Sequence, residues 1–209
     1  EGFWADFYNS AILSAPKQKS QIYHKSKLVV GVENMPYKSF FKPLLGEFML
    51  DLGGTVSSRA IQPERTIFSH SINETKVAPI ICYESIYGEY VTEYARNGAD
   101  FFTILTNDAW WGNTQGHKQL LSYARLRAIE NRRSIARSAN TGISAFINHK
   151  GEIIKTLPYE EKGALIGKVV LNKNLTFYSR YGDYIARIAK FTFFLLLLSC
   201  LANILRRKK

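Results

Sequence analysis

Two cysteines in 209 residues leave no material for a disulfide framework. Cys82 follows an apolar, strand-like run and Cys200 lies in a leucine tract, so their settings are unlike. No CxxC or HxxxH spacing offers a zinc site, and the four histidines, His24, His70, His117 and His149, are scattered. Surface or capping positions are expected for all four. Acidic residues are few beside basic ones, 17 Asp+Glu against 28 Lys+Arg, for a net charge of +11. Such a balance suits nucleic acid or an anionic membrane surface. An aromatic RNA-binding strand motif is absent, so no nucleic-acid partner is expected. A leader is lacking as well: Glu1-Gly-Phe-Trp-Ala-Asp opens without methionine or a charged-then-apolar stretch. Together with the apolar C-terminal segment, that start implies an upstream part that this sequence does not contain.

What is present is a folded composition, 46% hydrophobic and 22% charged, long enough for one sizeable domain with an attached element. The attached element is the run Phe191-Thr-Phe-Phe-Leu-Leu-Leu-Leu-Ser-Cys200-Leu-Ala-Asn-Ile-Leu205. It is shorter than the roughly 20 residues that cross a bilayer. Extended back to Tyr184 it suffices, with Arg187 and Lys190 able to snorkel toward one interface. Four consecutive leucines leave no polar face for an ordinary core helix. The expected division is a catalytic domain over 1–183, a transmembrane helix over 184–205 and a basic cytoplasmic tail over 206–209. The domain then lies across the membrane from that tail. Cys200 is left with packing and no chemistry.

The stretch that carries chemistry is Val77 to Val91. It runs apolar to Cys82, then places Ile86, Tyr90, Val91 and Tyr94 at helical spacing, which predicts a strand, a turn and a helix to about Asn97 closed by Gly98. A cysteine at such a turn has its sulfur near free backbone N–H groups and a positive helix end, and both favour the thiolate. The same N–H groups can hold the oxyanion of an acyl-transfer intermediate. The alternative is a small buried hydrophobe, a reading that polar Tyr83-Glu84 directly after the strand weakens but leaves open.

Residues 7–13 and 21–25 read as strands joined by the turn 14–20. Lys25, inside an apolar pattern, either faces water at an edge or is held inward for a purpose. Leu28 to Glu33 continues strand-like. Between Phe40 and Leu52 the apolar residues make a short helix or loop that serves either as core or as a lid dipping into a bilayer interface. Residues 55–76 read as polar loop and edge strand. The buried-type strand 99–106 ends at Asn107-Asp108-Ala-Trp110-Trp111-Gly112, and ligand sites in α/β sheets sit at such ends. A helix is predicted over 115–133 with Leu120, Leu121, Ala124, Ala128 and Ile129 inward, and strands over 134–138, 143–147, 151–156 and 164–170. The interleaving argues a layered α/β domain with both faces of the sheet covered.

Four motifs appear in order: Tyr23-His-Lys25 with Glu33 eight positions on, Ile81-Cys82-Tyr83-Glu84, Thr106-Asn107-Asp-Ala-Trp110-Trp-Gly112, and Arg137-Ser-Ala-Asn140-Thr-Gly142. They resemble the nitrilase, or carbon-nitrogen hydrolase, superfamily. With the terminal apolar helix, which soluble nitrilases normally lack, the chain is similar to the C-terminal part of the apolipoprotein N-acyltransferase branch. The resemblance implies an α-β-β-α sandwich, incomplete at its N-terminus, and a Glu–Lys–Cys catalytic set. Cys82 matches the nucleophile, Lys25 the lysine and Glu33 a supporting glutamate, with Tyr83, Glu84 and Trp110 in supporting or substrate-binding positions. It implies no metal and no cofactor. The implied partners are a phospholipid acyl donor, a diacylglyceryl apolipoprotein acceptor and the bacterial inner membrane, with the domain on the periplasmic side. Val30-Gly-Val-Glu33 stands where the family often has Pro-Phe-Gly-Glu. The family's general-base glutamate lies several dozen residues before the lysine, so it is expected upstream of this sequence and the chain alone is expected to be inactive. A membrane-tethered amidase and a catalytically inactive anchored domain are the alternatives. A papain-like Cys/His pair is disfavoured, because no histidine lies in a motif.

Overall fold

The computed structural model describes residues 7–30, 33, 34 and 59–207. The first strands, β1 (Ser10–Ala15) and β2 (Gln18–His24), form a hairpin of their own. It turns tightly at Pro16-Lys17, with Lys17 in the left-handed region at φ 60, so both strands run further toward the turn than the sequence pattern predicts. Among the described residues of the strand-like run after Lys25, Val30 forms an isolated bridge with Asn34. The apolar segment read as core or lid falls outside the described residues.

Six strands then lie side by side in chain order: β3 (Phe68–Ser69), β4 (Lys76–Ile81), β5 (Phe101–Thr106), β6 (Ile135–Ala139), β7 (Ser144–Ile147) and β8 (Ile153–Leu157). Because β4, β5 and β6 are parallel, each link between them needs a crossover helix. These are α1 (Gly88–Arg96) and α2 (Gln115–Asn131). β3, β7 and β8 pair antiparallel at the two flanks.

The strand period of two sends alternate residues to opposite faces. Ala78 and Ile80 sit in register with Phe102 and Ile104, and next to them Ile135, Ala145 and Ile147 share the same face. All are buried, packed under Tyr90, Val91, Tyr94 and Ala95 of α1 and Leu121, Ala124 and Ala128 of α2. Cutting Ile80 or Ile104 to alanine in such packing costs about 2–5 kcal/mol. On α2 the inward stripe differs from expectation at one end. Ile129 is 41% exposed, while His117, Arg127 and Asn131 are buried. The period explains it: 117, 120, 124, 127–128 and 131 return to one side of a 3.6-residue helix, and 129 does not. His117 is therefore no surface histidine; its ring stacks on Tyr159 at 4.4 Å.

The strand expected over 164–170 does not form. That segment crosses the opposite face of the sheet instead: Lys155 Nζ donates to the Ile166 carbonyl at 2.8 Å, and Val170 N–H donates to Ser134 Oγ at 3.2 Å. Gly167 is what lets the backbone lie on the Phe146 ring, since a Cβ there would stand 2.6 Å from it. Among the described residues, then, the two crossover helices share one face, and this strap runs over the other.

A short helix, α3 (Phe177–Tyr181), leads into α4 (Tyr184–Arg207), which is exposed along its length and is long and apolar enough to cross a membrane. Asp183 caps α4, with Ala186 N–H donating to its Oδ1 at 3.0 Å. Arg187 pairs with Glu89 of α1 and donates to the Tyr181 carbonyl at 2.8 Å. Gly182, at φ 70, fits against Glu89 where any Cβ would clash at 2.5 Å.

Candidate active site

After Lys76, β4 is apolar through Ile81, because from Ala78 on the residues of both its faces are buried. Cys82 follows at φ 50, a backbone conformation uncommon for a residue with a Cβ. From it starts a single 3-10 turn, Cys82–Ile86, after which the chain breaks at Tyr87 and α1 begins at Gly88. The expected continuous helix is thus split. Its macrodipole does not start at the sulfur, and the local help for a thiolate comes from the unpaired N–H groups that open any helical turn. Cys82 is only partly buried and lines a cavity of about 620 Å3.

Lys25, wholly buried at the end of β2, opens onto the same cavity. It faces inward, not toward water at an edge. Its Nζ donates to Glu33 Oε2 at 2.6 Å, and that oxygen also accepts the Val29 N–H at 2.8 Å. Glu33 Oε1 is held by Asn9 Nδ2. Tyr83 and Trp110 line the cavity too, and Trp110 and Trp111 are half exposed at its rim. Val29, Ile81, Leu105 and Leu120 make much of the remaining wall apolar.

Glu84 is not in the cavity. It lies behind it, fully buried, and joins the two loops that carry Lys25 and Cys82. Oε2 accepts the Ile81 N–H at 2.8 Å, one residue before Cys82. Oε1 accepts the Ser26 N–H at 2.7 Å, one residue after Lys25, together with the hydroxyls of Tyr23 at 2.7 Å and Tyr90 at 3.0 Å. Burial, reinforced by the Glu84 charge, pushes the Tyr23, Tyr90 and Tyr94 hydroxyls above their ordinary range. These tyrosines therefore remain donors at any physiological pH.

A second ion pair, Arg137 of β6 with Asp108 at the end of β5, is sealed from solvent on both sides. Asp108 also accepts from Thr106 Oγ1 at 2.7 Å, and Arg137 Nε donates to the Ile143 carbonyl at 3.0 Å. Burial lowers the Arg137 pKa, opposed first by Asp108 and then by the Cys82 charge. Both residues stand inside motifs legible in the sequence, yet nothing there pairs them. Asn9 and Arg59, which also border the cavity, carry no sequence signal. The described residues contain no group of three His, Cys, Asp or Glu side chains able to hold a metal.

A sulfur at a strained strand end, facing a buried lysine–glutamate pair across one cavity, is an arrangement suited to acyl transfer through a thiol. The carbon-nitrogen hydrolase family model matches residues 4–174. The chain belongs to the carbon-nitrogen hydrolase family. Among sequence relatives it is similar to the apolipoprotein N-acyltransferase of Chlorobaculum tepidum, 36% identical over 185 residues, covering 87% of this chain and 34% of that protein. The apolipoprotein N-acyltransferase of Haemophilus influenzae is 35% identical, over 88% of this chain and 34% of its own length. The chain thus spans about a third of the length of the curated relatives it matches. In fold, this hydrolase-family chain is similar to the carbon-nitrogen hydrolase of Helicobacter pylori G27, with a TM-score of 0.52 at 14% identity over 74% of this chain and 54% of that one. The layered nitrilase-like α/β fold is therefore shown, with one C-terminal helix apolar enough to span a membrane.

Proposed function

We propose that the chain is the catalytic part of an acyltransferase of lipoprotein maturation. It moves a fatty acyl chain from a phospholipid to the N-terminal amine of a diacylglyceryl-cysteine apolipoprotein, through a thioester on Cys82. The observation that carries this reading is Cys82 and the buried Lys25–Glu33 pair bordering one largely apolar cavity, in a chain whose relatives are named for that reaction. Residues up to 183 act as the catalytic domain and 184–205 as its anchor, at the outer face of the bacterial inner membrane.

The Cys82 thiolate adds to the ester carbonyl, and the carbonyl oxygen takes the negative charge. Lys25 Nζ and the N–H groups of the turn after Cys82 stabilise that oxyanion. Collapse breaks the ester C–O bond, leaving an acyl thioester and releasing a lysophospholipid that takes up a proton. The neutral α-amine of the acceptor then attacks the thioester, the amide C–N bond forms, and the thiolate leaves. The amine's proton must go to a base. Among the described residues lining the cavity, Glu33 is the one carboxylate, and it is already committed to Lys25, Val29 and Asn9. The base is thus a carboxylate other than Glu33; we infer the family's general-base glutamate, several dozen residues before the lysine, and that residues 1–209 alone are inactive. Glu33 and Glu84 orient the site, while Tyr83 and Trp110 flank the acyl chain.

The test uses the full-length protein incubated with a phospholipid bearing a heavy-isotope acyl chain and no acceptor. Mass spectrometry of the Cys82 peptide is expected to show the acyl thioester, and Cys82→Ala to lose it. An unmodified Cys82 beside an acyl group elsewhere overturns the mechanism. Release of free fatty acid instead of transfer, once acceptor is added, makes the protein a tethered hydrolase.

A further inference from the structure

Along α1, outside the catalytic cavity, runs an open groove of about 440 Å3 bordered by Lys27, Arg65, Tyr87, Glu89, Glu93 and Arg96. Both of its carboxylates are taken. Glu93 pairs with Arg65 at 3.2 Å, and Glu89 pairs with Arg187 of α4. Lys27 and Arg96 are exposed and have no carboxylate partner among the described residues. Lys27 Nζ stands 5.7 Å above the Tyr90 ring and 5.8 Å above Tyr87, and the Arg65 guanidinium 4.3 Å above Tyr90. Cations are thus laid over aromatic walls; Arg96 spends one N–H on the Ser179 carbonyl at 3.1 Å, and Lys27 with the remaining Arg96 N–H groups is left to receive an anion.

The groove's position says which anion. Its rim residue Glu89 is tied to Arg187, in the first turn of α4 and just before the apolar run begins at Phe191. At the same root, Phe177, Tyr181 and Tyr184 expose a ring cluster, with centroids 4.6 and 5.1 Å apart. Exposed aromatics at the end of an apolar helix sit at the depth of lipid headgroups. With α4 in a bilayer, the groove lies at that same depth.

We propose that this groove binds the phosphodiester of a membrane phospholipid, outside the catalytic cavity. Lys27 and Arg96 donate to the non-bridging oxygens, and the tyrosine walls hold the headgroup against the domain. The site rests on the reading of α4 as a membrane span. It also shares a wall with the catalytic cavity, because Tyr83, which lines the cavity, meets Tyr87 edge-on at 5.5 Å.

Native mass spectrometry of the full-length protein in a neutral detergent, with added dioleoyl phosphatidylglycerol, tests the proposal. Lys27→Glu and Arg96→Glu are each expected to lower the population of the highest lipid-bound state about fivefold. Lys150→Glu, in the exposed turn between β7 and β8, is the control and retains the lipid. Both groove side chains are exposed, so near-wild-type thermal unfolding is expected and is measured alongside. Equal lipid retention in both variants and wild type overturns the site. So does displacement of the lipid by millimolar inorganic phosphate, which makes the groove a soluble-anion site. Alkaline carbonate extraction of membranes separates the two readings. Release of wild type by carbonate removes the membrane span, whereas retention with unaltered lipid binding in the variants removes only the groove.

Discussion

Lys25–Glu33 and Arg137–Asp108 are both ion pairs drawn out of bulk water; the first borders the cavity that Cys82 lines, and the second feels the Cys82 charge. They differ in one wall. Around Arg137 and Asp108 the sheet and the turn ending at Gly142 close completely, and a Cβ at Gly142 would collide with the Asp108 carboxylate. Around Lys25 and Glu33 one side is a cavity. A pair with no free side can only hold geometry. A pair with an open side keeps donor capacity for a substrate atom, since an ammonium has three protons and, among the described residues, Glu33 alone is engaged in a side-chain bond with Nζ.

The sharpest test of that contrast is to break each pair from one end. Arg137→Met strands a buried carboxylate with Thr106 as its remaining side-chain donor, and should cost about 3–5 kcal/mol in urea unfolding of the full-length protein. Arg137→Met with Asp108→Leu removes both charges and should recover most of the loss. If the single variant is as stable as wild type, the pair is no clamp.

Lys25→Met should reverse the balance. Glu33 keeps the Val29 N–H and Asn9, and the cavity admits water to it, so the stability loss is smaller than for Arg137→Met. Acyl transfer should fall a few hundredfold, about 3 kcal/mol in the barrier, if Lys25 holds the oxyanion. A single-turnover assay reads the transfer rate and urea unfolding reads the stability. A large stability loss with proportionate activity loss would make Lys25 merely structural.

How far the sequence foretells these roles depends on the range of each contact. Cys82 is legible because strand, turn and helix signals are local, and the alternation of Phe102 and Ile104 reveals β5 for the same reason. The break at Tyr87 is not legible, because Tyr90, Val91 and Tyr94 keep helical spacing on either reading. Glu84 is visible as a polar residue after a strand. Its role is not, since it depends on Tyr23 and Ser26, about sixty positions away in the chain. The strap over 164–170 has the composition of a strand. Only the sheet it crosses shows otherwise.

Glu84 offers an intermediate case, a buried carboxylate balanced by neutral donors alone. Glu84→Gln puts an amide N–H₂ against the donors that surround both oxygens, so some of those bonds are lost. We expect about 1.5–3 kcal/mol of destabilisation. Because the Ile81 and Ser26 amides move with it, kcat should fall more than KM rises. A rise in KM with kcat unchanged would place its role in substrate binding instead.

The half-solvated limit is Arg127–Glu130, at 2.9 Å with Glu130 24% exposed. Here burial wins over the partner: the Glu130 carboxyl is raised above its ordinary value by desolvation first, against the opposing Arg127 charge. A carboxyl that is raised in the folded state contributes stability that is fully present below its unfolded pKa, and loses it as pH climbs through the raised value. Glutamine imitates the protonated form at every pH. The Tm of Glu130→Gln should therefore gain on wild type as pH rises from about 4 to 7, by the equivalent of under about 1 kcal/mol. A Tm difference that stays flat across that range would mean that Arg127 offsets the burial fully. The series of pairs would then be ordered by partner alone and not by the solvent each one sees.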